Sequence, residues 1–314
     1  RYINKTSVSS LSAGRCQTPA LRLVYENEED IKKNPGVECY NVSGNFSIND
    51  MDIDVKLSNS LDDSDLVEDF LEKSKTFNHI LSKKKIKKII KKNPEPLTTS
   101  GLQQKASNNL GYSPKDTMRI CQNLYECGYI TYMRTDSKNY SKEFINSTVK
   151  YIENRFDDRY INVDVDKLSL RKNDTQSGKL EKGNKSGKVE KGNKAQEAHE
   201  AIRPTKIELD ELTDTNKKIG FKEKRLYKFI WKTTMQSCMS NASFKAIDIN
   251  ISAPLDYIYK HREEQVLFEG WMILETYDRE NRKYSMLVDI KDGITIYYNN
   301  IICEPPGLKS IDPP

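Results

Sequence analysis

Histidine is scarce in this sequence of 314 residues, and its six cysteines are scattered. There are three histidines, and no two cysteines stand in a Cys-x-x-Cys pair. Structural zinc sites need four such ligands, usually in closely spaced pairs, so the sequence gives no support for one. Scattered cysteines predict reduced, intracellular thiols. No apolar run approaches the roughly 20 residues of a membrane-spanning helix, and no nucleotide-binding glycine loop is present.

Net charge is also low, because 51 basic residues face 46 acidic ones. A nine-residue repeat begins at Ser177 and again at Ser186, and residues 171–194 carry eight basic and three acidic residues. That excess equals the net charge of +5 of the whole chain, so the overall charge is no argument for nucleic-acid binding. The repeat is rich in Gly, Lys and Asn and cannot bury a core. We therefore interpret residues 171–196 as a disordered insertion.

Two charged stretches lie in the first third of the sequence. Residues 50–72 contain nine acidic residues and one lysine, and residues 83–92 contain seven lysines and no acidic residue. We predict that the acidic residues at 62–72 form a loop or an insertion. The lysine-rich stretch fits either a basic helix face that meets a DNA backbone or a solvated strand or loop, and the pattern does not decide between them.

Hydrophobic periodicity predicts helices and strands in the remaining parts. Ser113, Pro114 and Asp116 form a typical helix start, and Gly128 fits the end of the same helix. A first further helix is predicted from the spacing of Leu21, Val24 and Ile31, and it ends at Asn34. A second is predicted from the spacing of Leu102, Ala106 and Leu110, and it ends at Gly111. Two more helices are predicted at 142–155 and at 226–239. Strands are predicted at 51–57, 129–133, 246–251, 265–277, 284–290 and 294–302.

The stretch Ile-Thr-Tyr-Met-Arg-Thr-Asp-Ser, residues 130–137, carries the main chemical signal. On a strand, Tyr132 and Arg134 would point to the same face. A tyrosine hydroxyl can attack a phosphodiester once it is activated, and an arginine can hold the phosphate oxygens in a bidentate fork. Two such residues on a strand are also a common half-buried structural pair, so the pair alone leaves both interpretations open.

Two more motifs accompany this stretch. Residues 12–21 read Ser-Ala-Gly-Arg-Cys-Gln-Thr-Pro-Ala-Leu, where small residues allow close backbone approach to a phosphate and Arg15 and Gln17 could contact DNA. An ordinary capped helix explains the same residues. Residues 199–204 read His-Glu-Ala-Ile-Arg-Pro, where Glu200 and Arg203 could orient His199. A helix that happens to contain a histidine is the alternative.

Together, these three motifs resemble the signatures of type IA DNA topoisomerases, in the same order along the chain. Met133 before Arg134 is similar to the bacterial topoisomerase I branch, since the topoisomerase III branch usually has proline there. Cys16 departs from the valine that is common in the family. The resemblance implies an α+β fold, with a toroidal core in which a helical catalytic domain is inserted in a β-rich arch domain.

The resemblance also implies a division into domains. The predicted parts are 1–36 in a DNA-binding helical domain next to a Toprim domain, 37–96 as the first part of the arch, 97–239 as the helical domain with the catalytic tyrosine, 240–303 as the second part of the arch, and 304–314 as a return to the DNA-binding helical domain. The first residue is Arg1, and no Asp-x-Asp-x-Glu cluster of the Toprim type is visible. We expect this chain to be the central part of a longer protein.

The implied function is ATP-independent relaxation of supercoiled DNA through a 5′-phosphotyrosine, with a single-stranded segment of negatively supercoiled duplex as partner and a monomeric protein. Mg²⁺ would be bound by the Toprim domain, with no metal site in this chain, so we expect this segment alone to be inactive. A non-catalytic single-stranded DNA-binding module and a topoisomerase III-like decatenase are the alternatives. The compartment stays unknown, although Lys- and Asn-rich insertions fit an AT-rich genome, such as that of a eukaryote using the enzyme in an organelle.

The resemblance assigns catalytic roles to Tyr132, Arg134 and His199, and DNA-binding roles to Ser12, Ala13, Gly14, Arg15, Cys16, Gln17 and Arg203.

Overall fold

The structure is a computed structural model, and it describes residues 14–34, 36–169, 200–213, 219–276 and 278–309. Within these ranges the helices are α1 (Gln17–Lys33), α2 (Ser64–Ser74), α3 (Thr99–Leu110), α4 (Pro114–Glu126), α5 (Lys142–Arg155), α6 (Phe221–Cys238) and α7 (Arg282–Asp289). The strands are β1 (Val37–Cys39), β2 (Val42–Ile48), β3 (Met51–Leu57), β4 (His79–Lys83), β5 (Lys87–Lys91), β6 (Ala242–Ser252), β7 (Ile258–Phe268), β8 (Ile294–Cys303) and β9 (Gly307–Lys309). The predicted insertion at 171–196 lies outside the described residues.

The chain divides into two compact units. The first unit comprises residues 1–86, 247–263 and 282–314, and the second comprises residues 87–246 and 264–281. Each unit has its own hydrophobic core, because the buried apolar residues form one cluster in each. Among the described residues, no helix is both long and apolar enough to cross a membrane.

The first unit is built on antiparallel strands. Strand β2 pairs with β3 and β8, β3 also pairs with β7, and β4 pairs with both β8 and β6. Strand β3 has the predicted alternation, since Ile53, Val55 and Leu57 are buried and the residues between them are exposed. The turn into β3 places Asn49 at φ 46° and Asp50 at φ 61°. Asn and Asp tolerate such values better than most residues, which allows a two-residue hairpin.

Two predictions in this unit are wrong. Residues 62–72 belong largely to α2 rather than to a loop, because Asp63 caps its N-terminus and Val67 and Phe70 bury one side of it. The predicted strand at 284–290 is mostly α7, where Tyr284, Met286 and Leu287 are buried. In both places, the helix has only two or three turns, so the packing of its buried side chains stabilises it more than its intrinsic helix propensity does.

The helix α1 forms where it was predicted and ends at Asn34. Its apolar stripe is open to solvent, since Leu21, Val24 and Ile31 are 70%, 64% and 60% exposed. The apolar stripe therefore predicted the helix correctly, but the described residues do not bury it.

An aromatic cluster in the first unit encloses a histidine. The ring of His79 is 1% exposed and lies 5.1 Å from Phe46, 5.2 Å from Phe77 and 5.7 Å from Tyr298, measured between ring centroids. Its Nδ1 lies 2.8 Å from the Ser252 carbonyl oxygen. Burial lowers the pKa of His79, because a charged imidazolium would lose its hydration, and backbone hydrogen bonds oppose the shift only partly.

We expect His79 to make this unit less stable in mild acid. The folded state keeps the imidazole neutral, whereas the unfolded chain takes up a proton below a pH of about 6.5. The free energy of unfolding should therefore decline as the pH falls below that value, by at most about 1.4 kcal/mol per pH unit for this one proton. Denaturant titrations between pH 7.5 and 5 should show a shallower decline for His79→Gln than for the wild type. Equal slopes in the wild type and in His79→Gln would refute the prediction.

In the second unit, helices α3 to α6 surround a core that includes Leu102, Ile120, Leu124, Ile145 and Ile230. The predicted helices at 102–110, 114–127 and 142–155 are confirmed within a few residues. The helix predicted at 226–239 is also confirmed, although it begins earlier, at Phe221.

The other predictions on strands and lysines have mixed outcomes. Strands β3, β6 and β8 confirm 51–57, 246–251 and 294–302. The strand predicted at 265–277 ends at Phe268 and gives way to a 3-10 helix at Gly270–Leu274. There, Gly270 has φ 50°, and a Cβ atom would lie 2.5 Å from the Asn241 carbonyl oxygen. The lysines at 83–92 lie at the end of β4, in the following loop and on β5, which excludes a basic helix.

Candidate active site

Helix α4 immediately precedes the segment that contains Tyr132. The Ser113 hydroxyl accepts the Asp116 N–H at 3.1 Å and so caps the first turn. At the other end, Gly128 has φ 76°, and the Tyr129 N–H donates to the Leu124 carbonyl oxygen at 2.9 Å. Glycine adopts this left-handed conformation without strain, so the helix stops and the chain reverses. Tyr132 follows within a few residues of a firmly held helix end.

The segment 129–135 does not form the predicted strand. It makes one isolated bridge, between Ile130 and Pro204. No ladder continues from this bridge, so the prediction of a strand at 129–133 is wrong.

Buried and exposed side chains alternate along this segment. Tyr132 is 40% exposed and Arg134 is exposed, whereas Met133 is 1% and Thr135 7% exposed. The two buried side chains anchor the segment in the core, and the two candidate catalytic side chains emerge from the opposite side. The aromatic ring of Tyr125 packs edge-to-face against that of Tyr132, with ring centroids 5.3 Å apart.

Residues 200–205 lie directly beside this segment. The Thr131 N–H donates to the Arg203 carbonyl oxygen at 2.9 Å, and the Thr205 N–H donates to the Tyr129 carbonyl oxygen at 2.9 Å. The Thr131 hydroxyl adds a bond to the Ala201 carbonyl oxygen at 2.9 Å and accepts the Arg203 N–H at 3.0 Å. The structure thus brings together two of the three sequence motifs.

The same motif is tied to the chain beyond Tyr132. The Ala201 N–H donates to the Asn139 carbonyl oxygen at 2.8 Å, and the Tyr140 N–H donates to the Leu168 carbonyl oxygen at 2.7 Å. Tyr140 is fully buried, and its hydroxyl lies 3.0 Å from the Ser237 hydroxyl. Burial raises the pKa of Tyr140 far above the usual value of a phenol, so Tyr140 stays protonated and is no candidate nucleophile.

Arg203 is largely occupied by contacts within the protein. Its guanidinium lies 4.0 Å from the centre of the Phe144 ring, and its Nε donates to Glu200 at 2.5 Å. Its side chain is 12% exposed. The structure therefore gives Arg203 a role in holding residues 200–205, and its predicted contact with DNA stays a prediction.

The other predicted site residues lie either outside the described residues or in the first unit. Ser12, Ala13 and His199 lie outside the described residues. Gly14, Arg15, Cys16 and Gln17 are exposed at the start of α1, in the first unit, where the Gln17 N–H donates to the Gly14 carbonyl oxygen at 3.1 Å. Their predicted contacts with DNA also stay predictions.

The sequence model of one family, described as DNA topoisomerase, matches residues 1–305. The chain belongs to the type IA DNA topoisomerase family. DNA topoisomerase 1 of Buchnera aphidicola from Schizaphis graminum is 32% identical over 97% of the chain and 33% of its own length. DNA topoisomerase 1 of Escherichia coli is 30% identical over 85% of the chain and 29% of its own length. The chain thus spans about a third of the curated relatives that it matches.

A solved structure supports the fold of this topoisomerase chain. Full-length topoisomerase I from Thermotoga maritima superposes with a TM-score of 0.68 over 97% of the chain and 46% of its own, at 23% identity. The predicted α+β fold and the resemblance to the bacterial topoisomerase I branch are confirmed.

Sequence reasoning missed two threonines in this topoisomerase chain. Thr131 stood inside the motif but was interpreted only as a strand residue, and Thr99 was given no role. The Thr99 hydroxyl lies 2.7 Å from the Met133 carbonyl oxygen and accepts the Thr135 N–H at 2.8 Å. Threonine at a helix start signals a cap, but no local pattern tells which distant loop its hydroxyl reaches.

The described residues form no acidic cluster at the candidate site. In the part of the chain that the structure describes, no group of three or more His, Cys, Asp or Glu side chains is placed to hold a metal ion. The described residues around Tyr132 therefore supply a hydroxyl and a guanidinium, but no set of oxygen ligands for Mg²⁺.

Proposed function

We propose that this chain is the catalytic-tyrosine part of a topoisomerase that relaxes supercoiled DNA without ATP by cutting and resealing one strand. The Tyr132 hydroxyl oxygen attacks a backbone phosphorus and loses its proton. The bond from phosphorus to the 3′-oxygen breaks, and that oxygen leaves as a 3′-hydroxyl. The 5′-phosphotyrosine keeps the energy of the broken bond, so the reverse attack reseals the strand with no other energy source.

One observation carries this proposal: Tyr132 and Arg134 emerge together from a backbone that is held on both sides. Tyr132 is 40% exposed, and its neighbours Thr131 and Met133 are fixed by hydrogen bonds and burial. Arg134 would hold the non-bridging oxygens and offset the charge that develops on them. Preorganised groups of this kind contribute most when their backbone does not have to move during the reaction.

The partner in this proposal is a single-stranded segment of negatively supercoiled DNA, bound by a monomeric protein. The relatives are named DNA topoisomerase 1, which supports DNA as the substrate. We further propose that His199, which belongs to the motif at 199–204, supports cleavage by Tyr132. Its test is loss of cleavage in His199→Ala with unchanged binding of DNA.

Magnesium belongs to the same proposal. Because the described residues offer no cluster of acidic ligands, we propose that Mg²⁺ is bound by acidic residues outside them and aids proton transfer at Tyr132. The 314-residue chain alone should then leave supercoiled DNA unrelaxed. Mg²⁺-dependent relaxation by this chain on its own would contradict that part of the proposal.

Covalent trapping tests the proposal as a whole. The intact gene product that contains this chain is incubated with a single-stranded oligonucleotide and Mg²⁺ and then denatured. A label at the 3′ end should migrate with the protein, and a label at the 5′ end should be released on the shorter fragment. Binding without any adduct would favour the non-catalytic DNA-binding module, and a protein-linked 5′ label would contradict the direction of attack.

A further inference from the structure

Thr99 contacts the backbone on both sides of Arg134. Its hydroxyl lies 2.7 Å from the Met133 carbonyl oxygen, which precedes Arg134, and accepts the N–H of Thr135, which follows it, at 2.8 Å. The hydroxyl also lies 3.0 Å from the Thr135 carbonyl oxygen. One hydroxyl therefore spans the peptide groups that set the direction of the Arg134 side chain.

The helix α3 gives this contact a rigid base. Thr99 is the first residue of α3, and Thr98 caps the helix by accepting the Gly101 N–H at 3.1 Å. The N–H groups of a first helical turn have no partner within the helix. Here, the Thr99 N–H donates to the Thr135 carbonyl oxygen at 2.8 Å. The side chains of Leu102 and Ala106 are fully buried, so the helix cannot shift without disturbing the core.

We propose that Thr99 is a positioning residue that acts through Arg134, an inference that rests on the proposed cleavage by Tyr132. Its hydroxyl fixes the peptide groups on both sides of Arg134 and so aims the guanidinium at the phosphate beside Tyr132. Thr99 itself does not touch the DNA. The side chain of Arg134 is long and exposed, and its backbone is the part that the protein can hold in place.

Three substitutions separate the hydroxyl from the rest of the side chain. Thr99→Val keeps the shape and removes both hydroxyl bonds, Thr99→Ala removes the side chain, and Thr99→Ser keeps the hydroxyl. In the intact gene product, we expect the single-turnover rate of adduct formation at saturating oligonucleotide to fall about 10²-fold in the first two, which is the size of effect that misplacement by 1 Å can have. Thr99→Ser should stay within about threefold of the wild type, and binding of the oligonucleotide should not change.

A matched control accounts for the loss of a buried hydroxyl. Thr148 is fully buried on α5, and its hydroxyl donates to the Phe144 carbonyl oxygen at 2.9 Å, away from residues 133–135. Thr148→Val should keep the wild-type rate. If Thr148→Val and Thr99→Val lower the rate of adduct formation equally, general destabilisation explains both losses, and the inference fails.

A double-mutant cycle tests whether Thr99 acts through Arg134. If Thr99 only aims that guanidinium, Thr99→Ala should slow cleavage about 10²-fold in the wild type and less than threefold in the Arg134→Ala background. The same 10²-fold loss in both backgrounds, or wild-type rates in both Thr99→Ala and Thr99→Val, would overturn the inference. If the wild type itself forms no adduct, the proposed function fails instead, so the two failures are distinguishable.

Discussion

Tyr132→Phe is expected to abolish the covalent adduct with single-stranded DNA. The substitution removes one oxygen atom, and without that oxygen no bond to phosphorus can form. Loss of a covalent nucleophile typically lowers turnover by about 10⁶-fold, so no adduct should be visible on a denaturing gel. Binding of the oligonucleotide, measured by fluorescence anisotropy, should remain within about threefold of the wild type, because the ring and its packing are kept.

Tyr125 offers a matched control for this experiment. It is also 40% exposed, and its ring packs edge-to-face against that of Tyr132. Tyr125→Phe removes the same atom from a neighbouring ring, yet it should leave the adduct intact. If Tyr132→Phe still forms the adduct, or if Tyr125→Phe loses it instead, the assignment of the nucleophile is wrong.

Arg134→Ala should slow cleavage by about 10²- to 10³-fold, which is the typical effect of removing one donor that stabilises charge in a transition state. Arg134→Lys should recover only part of this loss, because an ammonium group carries the charge but not the planar fork that matches a phosphate. Single-turnover rates at saturating DNA measure the chemical step separately from binding.

Arg119 is the control for the charge of this residue. It is an exposed arginine on α4, and its guanidinium lies 3.8 Å from the Asp116 carboxylate. Arg119→Ala removes one positive charge from the same unit and should change the single-turnover rate by less than about threefold. If it slows cleavage as much as Arg134→Ala, general attraction of the DNA explains the effect of both, and Arg134 has no special role at the phosphate.

Local signals in the sequence predicted the helix that precedes Tyr132 well. Ser113, Pro114 and Gly128 each act on their own turn of chain, so the start and end of α4 can be read from neighbouring residues. The position of Tyr132 and Arg134 on one side of their segment also followed from simple alternation around Met133. The family resemblance added the order of three motifs, which no single motif could supply.

Features that depend on distant partners were not predicted. The bonds of the Thr99 hydroxyl to residues 133–135 join parts of the chain that only the fold brings together. Helix α2 was missed because its buried Val67 and Phe70 stand among acidic residues, and the predicted strand at 284–290 failed because short apolar runs fit two periods equally. The apolar stripe of α1 predicted a helix correctly, but it did not predict whether that stripe is buried within the described residues.

The anchoring of residues 139 and 140 has a consequence for the evolution of this chain. The Leu168 carbonyl oxygen bonds to Tyr140 and the Ala201 N–H bonds to Asn139, so the described chain leaves and returns at two adjacent residues. For two chain ends held this close, a longer flexible connection costs only about 0.6 kcal/mol per doubling of its length. Insertions between residues 168 and 201 should therefore disturb Tyr132 little, which makes this point of the fold tolerant of changes in chain length.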